Sequence, residues 1–295
     1  APRASSPGGA LDPVSAELVD HLMKFAITFA IPCLLFRATS TIDLGAAFDW
    51  RILVAYYSAS IAGFVVTYFI ARKLFKRRPG EAVAIGFAAL FSNLVLLGLP
   101  ITERAWGADT MAPNFALVSV NAPICYLIGI TAMEILRADG RNAAQTTGVV
   151  LNAVFRNSMM IGIGLGFIVN LAGISLPGAL IGAVDLLARA SLPVALFALG
   201  GVLTRYTLTK SLGEASTVAL VSLMLQPALT LLVATQLGLP QQIVNSIVLM
   251  AAVAPGLNAY LFASMYNRAL AASASSVLLS TLLSVFSVSA WLVFL

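Results

Sequence analysis

Charge is sparse in this sequence: Asp, Glu, Lys and Arg make up 10% of 295 residues, where soluble domains carry about a quarter. Metal and redox side chains are sparser still, with one histidine and two cysteines. Cys33 and Cys125 fall in separate apolar runs without neighbouring thiols or histidines, so neither a metal site nor a redox pair is indicated. His21 stands four residues after Glu17 and reads as half of a surface pair rather than a proton relay. No phosphate-binding loop of the Walker type is present. Gly162-Ile163-Gly164-Leu165-Gly166 imitates part of a dinucleotide loop, but no strand precedes it. Its glycines read better as a close helix-packing seam, one that can also serve a dimer. A membrane-embedded enzyme would need a nucleophile with its base, a metal cluster or paired aspartates at depth, and Asp185 is alone at such a depth. These absences leave no catalytic set and no cofactor or metal signal.

What the chain has in excess is apolar sequence: 60% of residues are hydrophobic and the mean hydropathy is +0.96, a composition that calls for lipid as solvent. Runs long enough to cross a bilayer lie near Glu17 to Ala38, Ile52 to Phe75, Ala82 to Trp106, Phe115 to Leu136, Asn157 to Ala172, Leu180 to Thr204, Ser216 to Leu237, Ile243 to Tyr266 and Leu270 to Leu295. Lys and Arg divide unevenly between the two sides. Arg3, Arg72 to Arg78, Arg137, Arg141, Arg156, Arg205, Lys210 and Arg268 fall on one side, and Arg37, Arg51 and Arg104 on the other. Cytoplasmic loops retain positive charge, so the Arg72 to Arg78 loop is placed in the cytoplasm of a cell membrane and Leu295 outside. The net charge of +5 is thus a topology signal, and no basic soluble face exists for nucleic acid.

Two of the nine spans are interrupted, one at Ser92-Asn93 running on to Gly98-Leu99-Pro100, the other at Ala254-Pro255-Gly256-Leu257-Asn258. A broken spanning helix survives only where protein or a water-filled cavity takes over its freed backbone groups. Ala30-Ile31-Pro32-Cys33-Leu34-Leu35-Phe36 reads onto Ser191-Leu192-Pro193-Val194-Ala195-Leu196-Phe197, a shift of 161 residues. The same shift carries Asn93 to Ala254, so the breaks are equivalents, and the two copies enter the membrane from opposite sides. The expected architecture is an all-α polytopic membrane protein, an inverted repeat of five-helix units with two crossing broken helices. Nine spans are visible and ten are expected, the first helix missing ahead of residue 15. The halves cover 16–138 and 157–295, after an N-terminal segment 1–15 and with a cytoplasmic connector 139–156 between them.

Asn93-Leu94-Val95-Leu96-Leu97-Gly98-Leu99-Pro100, Leu192-Pro193-Val194-Ala195-Leu196-Phe197-Ala198-Leu199-Gly200 and Pro255-Gly256-Leu257-Asn258-Ala259-Tyr260 resemble the signatures of the auxin efflux carrier family. That family includes plant auxin exporters and bacterial permeases for malonate and other organic anions. The resemblance runs from about Leu11 to the C-terminus. It implies a five-plus-five inverted-repeat fold similar to bile-acid symporters and sodium/proton antiporters, with elevator-like alternation of access at two crossing helices. The short stretch from Leu136 to Asn157 lacks the long loop of the plant exporters, which favours a bacterial member of the inner membrane.

Where two helices break and cross, their N-termini present free amides and a positive dipole end, a partner for a carboxylate. Asn93 and Asn258 supply amides that either touch the substrate or satisfy broken backbone. Ser92, Pro255 and Gly256 complete the expected binding set, and Gly98, Pro100 and Ala254 shape the breaks. Asn121 and Gln226 stand in apolar spans and either line the cavity or bond between helices. Asp185 and Arg189 are four apart and can pair on one helix face, Arg189 being either half of that structural pair or a substrate-steering cation. The expected partner is a small organic anion, moved by a secondary carrier with uniport, exchange or proton-linked flux. A sodium-coupled symporter, a channel and a membrane-embedded enzyme are the competing readings.

Overall fold

The computed structural model describes residues 16–41, 49–107, 111–136, 156, 158–203 and 211–295. Every regular element among them is helical. The helices are α1 Ala16–Phe25, α2 Ile31–Ser40, α3 Trp50–Lys73, α4 Pro79–Leu90, α5 Leu99–Trp106, α6 Ala112–Leu136 and α7 Ser158–Leu171. They continue with α8 Gly178–Leu203, α9 Leu212–Leu220, α10 Gln226–Gln236, α11 Gln241–Ala251, α12 Leu257–Tyr266 and α13 Leu270–Phe294. Six stretches are long and apolar enough to cross a membrane alone: Glu17–Ser40, Trp50–Lys73, Ala116–Leu136, Gly178–Ala195, Leu212–Gln236 and Leu270–Phe294. α4, α7 and α11 are shorter apolar helices. α4, with 12 residues, is about 18 Å long and falls short of a hydrocarbon core of about 30 Å. It needs the segment beyond its break to finish the crossing, and α11 needs α12 in the same way. The chain is an all-α polytopic membrane protein, as its hydropathy requires. The N-terminal segment 1–15 and all of the connector except Arg156 lie outside the described residues, as do Arg137, Arg141, Arg205 and Lys210.

Proline sets the fine structure of three spans. Single π-helical turns occupy Ala26–Ala30, Leu94–Gly98 and Val221–Leu225, and each is followed two residues later by a proline, Pro32, Pro100 or Pro227. Proline lacks the amide hydrogen and crowds the preceding turn, which widens to accommodate it. The carbonyls left over are taken by side chains. Ser158 Oγ donates to the Ile27 carbonyl at 3.2 Å, while Ser287 Oγ and Trp291 Nε1 both donate to the Leu223 carbonyl at 2.9 Å. Trp291 and Ser287 thereby fasten α13 to the kinked span formed by α9 and α10.

The helices pack as two bodies. α1, α2, α7 and α8 form the smaller, with its tightest seam between α2 and α7. The remaining helices form the larger, with α3 against α4 and α10, and α9 against α13. Among the described residues contact between the bodies is sparse, confined chiefly to α2 with α6, α6 with α7, and α8 with α12 and α13. α4 is buried from Ala82 to Leu90 and α11 from Ser246 to Ala251. A helix apolar all round belongs in the interior, and these two form the centre of the larger body. Phe87 of α4 stacks on Phe262 of α12 with centroids 3.9 Å apart. Leu282, Val285, Phe286 and Val293 of α13 and Leu186 of α8 are exposed, as lipid-facing side chains must be.

Ion pairs sit toward the ends of the helices. Arg77, in the α3–α4 turn, donates from Nε to Glu214 Oε1 of α9 at 2.8 Å, and the Glu214 side chain is only 8% exposed. Asp185 of α8 accepts from Arg37 Nε of α2 at 2.7 Å. This corrects the pairing expected with Arg189: a guanidinium on the facing helix reaches the carboxylate, and Arg189, exposed one turn further along α8, makes no ion pair with it within 4 Å. The glycine seam is likewise used inside the chain, with Gly162 and Gly166 of α7 facing the backbone of α2.

Candidate functional site: the crossover of two broken helices

α4 ends at Leu90, and Phe91 to Asn93 run extended before the π turn that leads into α5. α11 ends at Ala251, and α12 restarts at Leu257 with Gly256 as its N-cap. The two gaps meet. Ser92 and Pro255 form an antiparallel bridge, flanked by bonds from the Asn93 amide to the Ala254 carbonyl at 2.9 Å and from the Gly256 amide to the Phe91 carbonyl at 3.0 Å. Each break thus satisfies groups that the other leaves over, which backbone in hydrocarbon requires. The paired bonds make Asn93 equivalent to Gly256 and Phe91 to Ala254. That equivalence lies two residues beyond the shift read from Pro32 and Pro193.

Glycines sit where the segments touch, with ordinary contact distance left at Gly256 and a flexible methionine end facing Gly98. A Cβ on Gly256 would stand 3.4 Å from Asn93 Cα, and one on Gly98 only 2.7 Å from Met250 Sδ of α11. Pro255 has no amide hydrogen to leave unpaired and pre-extends the residue before it.

Beside the bridge, between the two bodies, lies a cavity of about 170 Å³. The smaller body contributes an apolar wall of Ile31, Leu34, Leu35 and Ala38 from α2 and Ala195 from α8. The larger contributes Phe91 to Val95 at the first break, Val118, Asn121 and Ala122 from α6, and Leu257, Asn258 and Leu261 from α12. Among the described residues that line it, none is charged. Polarity comes from Ser92 and from three asparagines, two of which are oriented by tyrosines. Tyr126 donates to Asn258 Oδ1 at 2.9 Å, and Tyr57 shares its hydroxyl proton between the Leu117 carbonyl at 3.3 Å and Asn121 Oδ1 at 3.4 Å, which Cys125 Sγ also reaches at 3.5 Å. With those oxygens engaged, each amide keeps its NH2 group as donor. The helix starting at Leu257 and the one starting at Leu94 both begin on this wall, adding two positive dipole ends. The cavity therefore offers neutral donors and fixed dipoles to an anion, with apolar surface for the remainder of the molecule. It is smaller than the roughly 300–1,000 Å³ of drug-sized pockets, a size for a small ligand.

Of the residues singled out in the sequence, Ser92, Asn93, Asn121 and Asn258 line this cavity, and Ala254, Pro255 and Gly256 build the bridge behind it. Gly98 and Pro100 shape the half-helix leaving it. Two lie elsewhere. Gln226 is fully buried on the far side of Ser92, donating to Ser60 Oγ at 2.7 Å and reaching Ser92 Oγ at 3.4 Å; its place is behind the crossover because the kink before Pro227 turns it toward α3. Arg189 is absent from the cavity wall. Tyr57, Tyr126 and the apolar wall from α2 escaped sequence reasoning, since a tyrosine or leucine in a span carries no local mark of the asparagine or cavity it faces.

An all-helical polytopic chain with two broken spans bridged at a polar midpoint has the architecture of a membrane transporter. Comparison with known families agrees: residues 9–292 match the family described as "Membrane transport protein", and the chain belongs to it. The resemblance of its motifs to the auxin efflux carriers holds at this family level. Among curated proteins the chain is similar to the uncharacterized transporter YfdV of Escherichia coli strain K12. The two are 25% identical over 275 residues, covering 91% of this chain and 86% of that protein. The YfdV proteins of Escherichia coli O157:H7 and Shigella flexneri match equally.

Proposed function

We propose that this protein carries small organic anions, carboxylates such as malonate or auxin-like acids, across a bacterial inner membrane by alternating access at the crossover. The observation that carries the reading is the Ser92–Pro255 bridge beside a small, charge-free cavity rich in amide donors. Helix N-termini and amide donors hold a carboxylate without a permanent counter-charge, so the empty cavity leaves no buried charge uncompensated when the carrier returns. The sparse contact between the two bodies supports an elevator-like motion, the larger body sliding with the substrate against the wall of α2 and α8. In this reading the halves 16–138 and 157–295 are inverted copies joined by a connector at 139–156. The α3–α4 turn faces the cytoplasm and Leu295 the outside, and flux runs as uniport, as exchange or with protons.

Counterflow tests the reading. Proteoliposomes loaded with unlabelled malonate or indole-3-acetate are expected to accumulate the labelled acid transiently, because exchange needs alternating access. Asn93→Ala and Asn258→Ala are each expected to lose tenfold or more of that uptake, with thermal midpoints near wild type. Downhill flux without counterflow would mean a channel. Wild-type uptake in both variants would remove the crossover from the transport path.

A further inference from the structure

A second and larger cavity, about 530 Å³, opens where the two bodies part beside α1 and the far end of α12. We propose that it is a loading vestibule in which Lys24 captures the carboxylate of an amphipathic organic acid before the acid reaches the crossover. The inference rests on the anion-carrier reading above and deepens it.

Location is the first argument. α12 lines both cavities: Leu257, Asn258 and Leu261 face the crossover, while Tyr260, Ser264 and Met265 face the vestibule. An acid leaving one meets the other along successive turns of a single helix, in the gap between the two bodies.

Charge is the second. Among the described residues the crossover cavity has no cation on its wall, whereas Lys24 stands on the vestibule wall. Among the described residues no carboxylate closes on it within 4 Å. Asp20, one turn earlier on α1, lines the same cavity and keeps its overall charge near neutral. The ammonium therefore acts at short range on a carboxylate already inside, and loading stays reversible.

The remaining wall fits such a ligand. Thr28, Ser264 and Asn267 add hydroxyl and amide donors to the same wall, and Met23, Ile27 and Met265 offer apolar surface. Methionine side chains adapt to ligands of varied shape. Arg268, next to Asn267 in the α12–α13 turn, lies beside Gly80 at the start of α4. The vestibule thus opens at the same end of the molecule as the basic α3–α4 turn, whose field concentrates anions there.

The test uses the full chain in proteoliposomes with indole-3-acetate and malonate as probes, presented to one side at a time. Lys24→Gln is expected to raise the half-saturation concentration for indole-3-acetate about fivefold on the vestibule side, the loss of one charge contact in a wet site. The half-saturation concentration on the other side should stay unchanged, and Lys24→Arg should restore the wild-type value. As a readout independent of flux, Lys24→Cys is made with Cys33 and Cys125 replaced by Ala. A charged maleimide should label it, and indole-3-acetate should slow the labelling. Side-specific kinetics in Lys24→Gln equal to wild type, or labelling indifferent to the acid, would overturn the vestibule while leaving the carrier intact. A wild-type protein that neither binds nor moves either acid would overturn the carrier reading and the vestibule with it.

Discussion

Replacing Gly162 with alanine adds one methyl group to α7 at the point where it lies against the Pro32 carbonyl of α2. The new Cβ would overlap that oxygen and stand 3.0 Å from the carbonyl carbon and 3.1 Å from Pro32 Cα. Backbone atoms cannot rotate aside, so the helices must separate. Separation strains the bonds that cross the seam, from Thr39 Oγ1 to the Ile163 carbonyl at 3.2 Å and from Asn170 Nδ2 to the Ser40 carbonyl at 3.0 Å. Such interhelical bonds are worth roughly 0.6 kcal/mol each in a membrane protein, and overpacking costs about 1–3 kcal/mol. Against this stands the helix propensity of alanine over glycine, about 0.8–1 kcal/mol. Gly164 supplies the control. It lies two residues along the same helix, exposed, with nothing within 4 Å of its hypothetical Cβ, so Gly164→Ala keeps the propensity gain and meets no clash. Thermal unfolding of the purified protein in detergent should therefore place Gly164→Ala at or above wild type and Gly162→Ala below it. The gap between the two variants should be about 2 kcal/mol, the sum of the propensity gain and the net overpacking loss. Equal midpoints for the two variants, or a Gly162→Ala protein more stable than wild type, would refute the packing argument.

Two further outcomes follow from buried and capping polar groups. Gln226 donates to Ser60, but its Oε1 is buried with no partner among the described residues. Gln226→Leu removes that orphan together with the hydrogen bond, and should change stability by no more than about 1 kcal/mol. Gln226→Ala opens a void and should cost about 2 kcal/mol or more. Both should slow counterflow by loosening Ser92, and a Leu variant as unstable as the Ala variant would show that Oε1 is satisfied after all. Asp49 caps α3, its Oδ1 accepting the Arg51 amide at 2.9 Å. The Arg51 side chain, through its hydrogen bond, holds the Asp49 carboxyl below its usual range. A carboxyl with a lowered folded pKa stabilises fully above its unfolded value of about 4 and ceases to do so as pH falls through the folded value. Asp49→Ala should cost about 1 kcal/mol at neutral pH. Its thermal midpoint should converge on wild type only below about pH 4, and a difference that vanished nearer pH 6 would exclude the cap as its source.

How far the site could be read in advance differs residue by residue. Asn93, Asn258 and Pro255 announce themselves because Asn and Pro in an apolar span are costly unless something compensates, and that cost is written in the local sequence. Asn121 carries the same mark and lines the same cavity. Gln226 carries it too, yet it faces Ser60 behind the crossover, because direction around a kinked helix depends on a π turn that composition does not encode. Arg189 shows the same gap for charge. Spacing of four permits a pair with Asp185, but Arg37 on a neighbouring helix approaches more closely.

The sequence by itself determined that this chain is an all-α protein of the membrane, and it marked the two apolar runs that are interrupted. Hydropathy, proline and glycine act locally or over a single span, so they are legible without coordinates. Only the tertiary structure decided that the two breaks hydrogen-bond to each other, that tyrosines of α3 and α6 orient the asparagines, and that Gly162 and Gly166, not Gly164, carry a helix seam. It also separated the chain into two bodies, with a small cavity beside the bridge and a second, larger cavity lined by Lys24 between them. These features depend on which face of one helix meets which face of another, and in a chain apolar on nearly every face the sequence pattern leaves that choice to packing.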